Sequence, residues 1–396
     1  MPRRIVVIDT QAFDTLYGEC KNEHELRVEF SPLSPATDKL EELCPSLIKE
    51  NSIDSLTLDF TNHPLTEKDI AALATFLHSD NCPRSINLIL TKTSLSKESL
   101  NILASAISNG CKAAEVSLGL CNNRLGNEGA QIFSEALKSE HCPSKISLNL
   151  ASNDISDKGF LALAEMMKSA STATKLSLNL LFNPTTKLGA LALIDGMKCG
   201  DNKTSLDIKY EFSKHGTALI CSLANALKSN KCPEELALQF GVKHLTPEEV
   251  SILGAALEST SCPSQLDLDL SEQGLKDEGF AAILRALPKI NENLNLKLHL
   301  VYNSIKLEGA IKLSELIKSD TIHSQVYMNL SQNSFGGAEG VRKISEALAK
   351  NPLVLNYLTI KGPTAEINEL CTRIREHAPE DLSSKARPKD SGCAVM

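Results

Sequence analysis

The chain has 396 residues, a formal net charge of −8, 42% hydrophobic and 4% aromatic residues, and no tryptophan. An acidic balance argues against nucleic acid as the main partner, because a phosphate backbone rewards a basic face. No apolar run reaches the roughly 18 residues that a membrane-spanning helix needs, so no segment is expected to cross a bilayer.

Residues 1–24 open with Met1-Pro2-Arg3-Arg4-Ile5-Val6-Val7-Ile8, a basic start whose apolar run is interrupted by Asp9. The run is too short for a secretory signal, and these residues are expected to form an N-terminal cap. From 25 to 362 one pattern dominates. The segments Lys145 to Leu150 (KISLNL) and Lys175 to Leu180 (KLSLNL) are nearly the same and lie 30 residues apart. Alternating triplets such as Leu26/Val28/Phe30, Leu56/Leu58/Phe60, Leu236/Leu238/Phe240 and Leu296/Leu298/Leu300 hold that interval, and a weaker last one ends at Leu358 and Ile360. Alternation marks a strand with one buried face. About ten residues later the apolar positions take helical spacing, as in Ile70/Leu73/Ala74/Leu77 and Phe160/Leu163/Ala164/Met167. A fixed period of strand and helix means a repeat array in which neighbours supply each other's core. The expected class is α/β: a parallel sheet on the concave side of a curved horseshoe, helices on the convex side, and about 12 repeats.

The joining motif reads Leu148-x-Leu150-x-x-Asn153-x-Ile155, then Gly159, and recurs at Leu118 to Gly129, Leu298 to Gly309 and Met328 to Phe335. It resembles the leucine-rich repeat family, in its ribonuclease-inhibitor-like subclass with long helical repeats. The resemblance covers roughly Glu25 to Ile360 and implies a solenoid. It is nearly silent on function, because such folds host inhibitors, GTPase activators, immune receptors and bacterial effectors. It also implies that the Asn side chain bonds turn backbone, so Ser213, Lys243 and Gln273, which replace that Asn, and His215, which replaces Leu or Ile, are expected to cost local order.

Cys82, Cys142, Cys232 and Cys262 recur at one position, each followed by Pro. Their equivalence points to buried free thiols filling one small niche rather than to disulfides. No nucleophile elbow, zinc-binding helix motif or phosphate-binding loop occurs. Gly126, Gly129, Gly336 and Gly337 are expected in turns with positive φ. No catalytic residue is expected.

On the exposed side of the strands the early positions are bland (Ser117, Ser147, Ser177), whereas later ones carry Asp207, Lys209, Glu211, Gln239, Asp267, Asp269, Lys297, His299, Tyr302, Tyr327 and Tyr357. All but Tyr357 form the expected partner-binding set. A hydrogen-bonded ladder of Asp267, Asp269 and His299 is favoured over a metal site there, and no metal is expected.

Residues 363–378 are expected as a closing cap helix, with Cys371 in its core face, and 379–396 as a flexible tail. The tail carries Cys393-Ala394-Val395-Met396, a C-a-a-X box. Such a terminus is read by a eukaryotic prenyltransferase, and the final Met favours farnesyl on Cys393. No other cofactor is expected. The charges of residues 379–392 sum to zero (Glu380, Asp381 and Asp390 against Lys385, Arg387 and Lys389), so the tail lacks a polybasic second signal, and one lipid gives only reversible membrane attachment. The expectation is a monomeric, non-enzymatic protein-binding module on the cytosolic side of a eukaryotic membrane, resembling effectors that intracellular bacteria deliver into host cells. The alternative is a small-GTPase regulator; one branch of the family activates GTP hydrolysis with an exposed Arg, and only Arg27 projects from the expected concave strands, with Arg124 in a turn.

Overall fold

The computed structural model describes residues 3–7, 24–30, 40, 53–171, 173–241, 244–362 and 365–376. The chain divides into two compact units, Met1–Ile208 and Lys209–Met396. Both are α/β solenoids of one parallel strand and one helix per repeat.

In the first unit, β1 (Arg3–Val7), β2 (Glu25–Phe30), β3 (Ser55–Asp59), β4 (Ser85–Ile89), β5 (Glu115–Gly119), β6 (Lys145–Asn149) and β7 (Lys175–Asn179) each pair in parallel with the next. From β2 on, the register equals the sequence period: Leu26 faces Leu56, and Ile146 faces Leu176. The first pair departs, with Ile5 opposite Val28. The start of the chain thus contributes a strand as well as lying where a cap was expected. Helices α1 (Glu67–Leu77), α2 (Lys97–Ser108), α3 (Gly126–Ala136), α4 (Asp157–Lys168) and α5 (Lys187–Gly196) follow β3 to β7. The triplets Leu56/Leu58/Phe60 and Ile146/Leu148/Leu150 are at most 1% exposed, and they pack with helix residues such as Phe160, Leu163 and Met167 at 0%.

Local chemistry sets the boundaries. Thr66 and Asp69 form a capping box at the start of α1, and Ser96 accepts from the Ser99 amide at α2. Later helices are capped by the preceding repeat. Asn127 Oδ1 accepts from the Ser156 and Gly159 amides, and Asp157 Oδ1 accepts from those of Thr186 and Gly189. Burial alone would raise the Asp157 carboxyl, but hydrogen bonds from Thr186, Thr185 and Gly189 hold it down to about 2.

The turn asparagines form a ladder. Asn153 is 0% exposed; its Nδ2 donates to Leu120 O at 2.9 Å and Ala151 O at 3.2 Å, and its Oδ1 accepts from the Asn123 amide at 2.8 Å. Asn183 repeats this, donating to Leu150 O and accepting from Asn153 N. Each Asn therefore joins its own turn to the one before, where water cannot reach.

Gly126, Gly336 and Gly337 have positive φ, as expected. Gly129 does not: it lies inside α3. A Cβ there would stand 2.6 Å from Leu125 Cβ, so the residue is small because the turn leucine packs onto the first helical turn, not because the backbone is left-handed.

In the second unit, β8 (Ser205–Tyr210) crosses the division, and β9 (Glu235–Phe240), β10 (Gln265–Asp269), β11 (Asn295–His299), β12 (Val326–Asn329) and β13 (Leu358–Lys361) come after it. From β9 to β12 the spacing again matches the period, as in Leu266 opposite Leu296; at the end Val326 faces Leu358. Helices α6 (Thr217–Leu227), α7 (Pro247–Leu257), α8 (Lys276–Ala286), α9 (Leu307–Ser319) and α10 (Ala338–Lys350) alternate with the strands, and α11 (Ala365–Glu376) packs on β13 and α10. Cys371 is buried in α11.

Two of the motif breaks have structural substitutes. Around Ser213 the turn becomes a short 3-10 helix, Phe212–His215, and His215 Nε2 meets the Tyr210 hydroxyl at 2.8 Å. Gln273 keeps the donor half of the Asn role: its Nε2 donates to Gly241 O at 2.7 Å and Ser271 O at 3.2 Å, while its Oε1 is buried without a hydrogen-bond partner. The expected loss at 273 is thus confined to the acceptor side of the ladder. Lys243, the tail and the C-a-a-X box lie outside the described residues.

Cys82, Cys142, Cys232 and Cys262 are free thiols, the second and fourth buried and the others half-buried. Burial pushes Cys82 and Cys262 up to about 12 and Cys142 up to about 11, so they are poor nucleophiles at neutral pH.

Candidate functional site

Alternation along a strand sends one side chain to the helices and the next to the opposite face. In the second unit that face is half-exposed, and parallel register lines its residues into rows. One row runs Ala237, Asp267, Lys297, Tyr327, Thr359; the other runs Gln239, Asp269, His299, Asn329, Lys361.

A diagonal contact joins the rows. His299 Nε2 lies 3.3 Å from Asp267 Oδ1, and the His299 ring centroid lies 5.8 Å from that of Tyr327. The hydrogen bond to Asp267 raises the His299 imidazole above its ordinary value, against the opposing effect of burial. Burial raises the Tyr327 hydroxyl, with Asp267 acting in the same direction. Asp269 Oδ1 accepts from the Ser271 amide at 3.0 Å, which closes its strand. Lys297 is exposed and makes no ion pair among the described residues.

Five of the expected partner-binding residues, Asp267, Asp269, Lys297, His299 and Tyr327, thus come together on β10 to β12, with Gln239 beside Asp269. The others lie on or beside other elements. Asp207 belongs to the first unit, where its carboxylate accepts from Ser177 Oγ at 3.0 Å. Lys209 lies half-buried in β8, and Glu211 half-buried just after it. Tyr302 leaves the strand altogether: it sits in the turn after β11 with φ of 55° and is 58% exposed. Tyr357 precedes β13, at the end of a 3-10 helix. Asn329, Thr359 and Lys361 join the face although sequence reasoning missed them; the alternation that marks Tyr327 is the signal that would have found them.

Chemically the cluster offers two carboxylates, an imidazole, an ammonium, a phenol and carboxamides on rigid strands, a surface for hydrogen-bonded and electrostatic recognition. Among the described residues no three His, Cys, Asp or Glu side chains converge as metal ligands would, and no helix is long and apolar enough to cross a membrane. In the first unit, Arg27 donates to Glu29 at 2.8 Å and to Asp59 at 2.7 Å, so it is engaged by two carboxylates rather than projecting alone. No protein-family model matches the chain, and no curated protein matches it.

Proposed function

We propose that the chain is a non-enzymatic protein-binding module held on the cytosolic face of a eukaryotic membrane by a farnesyl group on Cys393. The observation that carries the binding part is the joined cluster of Asp267, Lys297, His299 and Tyr327 on one face of a rigid parallel sheet. Hydrogen-bonding groups held on strands, with an aromatic ring among them, suit a protein partner better than a small molecule, which needs an enclosing cavity. The anchoring part rests on Cys393-Ala394-Val395-Met396 and on host prenyltransferase chemistry. One lipid holds weakly, so the bound partner completes the attachment. Regular repeats joined to a eukaryotic lipid box support the role of a bacterial effector acting inside a host cell. The alternative of a small-GTPase regulator is disfavoured because Arg27 is held by Glu29 and Asp59.

The test expresses the chain in eukaryotic cells with and without Cys393→Ser and measures its membrane fraction and intact mass. Loss of the isoprenoid mass and of the membrane fraction in the variant is expected. Equal fractions would sink the anchor. Affinity capture with Asp267→Ala/Asp269→Ala should lose the partners retained by the unmodified chain, and an unchanged set would sink the binding face.

A further inference from the structure

The repeat array supplies its own reference for what each surface position ordinarily carries. At the repeat position of Leu188, near the start of the helix, the four repeats before α5 have Lys68, Glu98, Glu128 and Lys158. At the turn position with left-handed backbone they have Asn62, Lys92, Asn122 and Ser152; the turn before α5 has Phe182, with φ of 59°. At the fifth helical residue Ala71, Asn101 and Gln131 give way to Leu161 in α4 and Leu191 in α5. Three of these apolar residues lie in the open: Leu161 is 50% exposed, Phe182 60% and Leu188 70%. Leu161 and Leu188 share one corner, because Asp157 at the start of α4 bonds Thr186 and Gly189 at the start of α5; Phe182 lies in the turn that leads from β7 into α5. Leu161 follows Asp157 by one turn, and Leu188 stands between Thr186 and Gly189.

We infer that this corner is a membrane-contact site, in which Phe182, Leu188 and Leu161 enter the lipid interface and Lys158 and Lys187 meet anionic headgroups. Both lysines are exposed, and neither forms an ion pair among the described residues. The Asp157 carboxylate between them is occupied by Thr185, Thr186 and Gly189; the exposed Asp154 lies in the turn before α4, and the exposed Glu165 stands about two turns beyond Asp157. Apolar tips flanked by lysines match a lipid interface. Size argues against a second copy of the chain as the occupant: the three side chains expose roughly 300 Å², whereas a stable partner interface takes about 800 Å² from each side. The idea rests on the membrane setting proposed above and adds a direct lipid contact to the attachment, but its test does not depend on a lipid at Cys393.

The chain has no tryptophan, so Phe182→Trp places a single indole at the tip. The full chain, carrying this substitution and Cys393→Ser, is tethered through a hexahistidine tag after Met396 to vesicles of phosphatidylcholine, phosphatidylserine and a nickel-chelating lipid. Blue-shifted emission and quenching by brominated phosphatidylcholine are expected. Adding Leu161→Gln and Leu188→Glu, the residue types at 131 and 128, should abolish most of the quenching. Without the tether, Leu188→Glu alone should lower vesicle affinity roughly tenfold. Unchanged indole emission on tethered vesicles would overturn the proposal, as would equal quenching with the two added substitutions. A blue shift that tracks protein concentration without lipid would also overturn it and assign the corner to protein docking. Failure of the prenyl reading would appear separately, as an unchanged membrane fraction for Cys393→Ser in cells.

Discussion

Replacing Asn153 by Ala tests the ladder that joins one repeat to the next. The side chain is 0% exposed and makes two donor bonds, to Leu120 O at 2.9 Å and Ala151 O at 3.2 Å, and one short acceptor bond, from Asn123 N at 2.8 Å. Truncation leaves the Asn123 amide buried without its partner, whereas the Leu120 carbonyl keeps the 3.0 Å bond from Asn123 Nδ2. A buried neutral group left unpaired costs about 1–3 kcal/mol, reduced where the turn relaxes toward water. Repeat arrays depart from two-state unfolding, so the sharper assay is local: native-state hydrogen exchange at the Asn123 and Leu125 amides. Each 1.4 kcal/mol of lost protection is a factor of about ten, so acceleration of roughly fivefold or more is expected at Asn123, with little change in α1. Acceleration below about threefold would refute the reasoning, since the amide would then have found another partner.

Three further outcomes rest on the same geometry. Gly129→Ala should destabilise by about 1–3 kcal/mol in urea titrations, despite the better helix propensity of Ala, because the new Cβ would stand 2.6 Å from that of Leu125; a gain in stability would contradict the packing account. Asp157 has a carboxyl held down to about 2 against an ordinary 3.8, so its stabilisation is present above pH 3.8 and is lost as pH falls toward 2. Discounted for its partial exposure, this amounts to about 1 kcal/mol, and Asp157→Asn should flatten that part of an acid-unfolding profile. His299 is raised by its hydrogen bond to Asp267, so that contribution is complete below its ordinary range near 6.5 and fades as pH rises through the raised value; Asp267→Asn should lower the His299 midpoint in an NMR titration, and an unmoved midpoint would remove the pair.

Much of the fold was legible because a period of 30 residues leaves little freedom: Ile146 and Leu176 must be equivalent, and equivalent residues in a parallel stack are neighbours. The helical glycine was legible as a position but not as a cause. A turn glycine and a packing glycine look alike in sequence, and only the distance from Gly129 to Leu125 separates them. Gln273 looked like a fully broken motif because residue type changed; its amide still donates to Gly241 O, since one added methylene does not alter the donor, but its Oε1 no longer finds a partner. The candidate site was legible by alternation, which marked Asp267, His299 and Tyr327, and alternation also explains the miss at Tyr302: past the last strand residue the backbone turns left-handed and the face is no longer defined.

The amino-acid sequence alone determined the repeat length, the strand-helix order and the buried triplets, because these depend on periodicity and residue type along one chain. The tertiary structure decided which groups act together: that His299 reaches across a strand to Asp267 rather than to its in-register neighbour Asp269, that Asp157 caps the helix of the following repeat, and that Leu161 and Leu188, 27 residues apart, share one exposed corner. Those pairings depend on side-chain direction between repeats, a quantity set by packing and not by position in the chain.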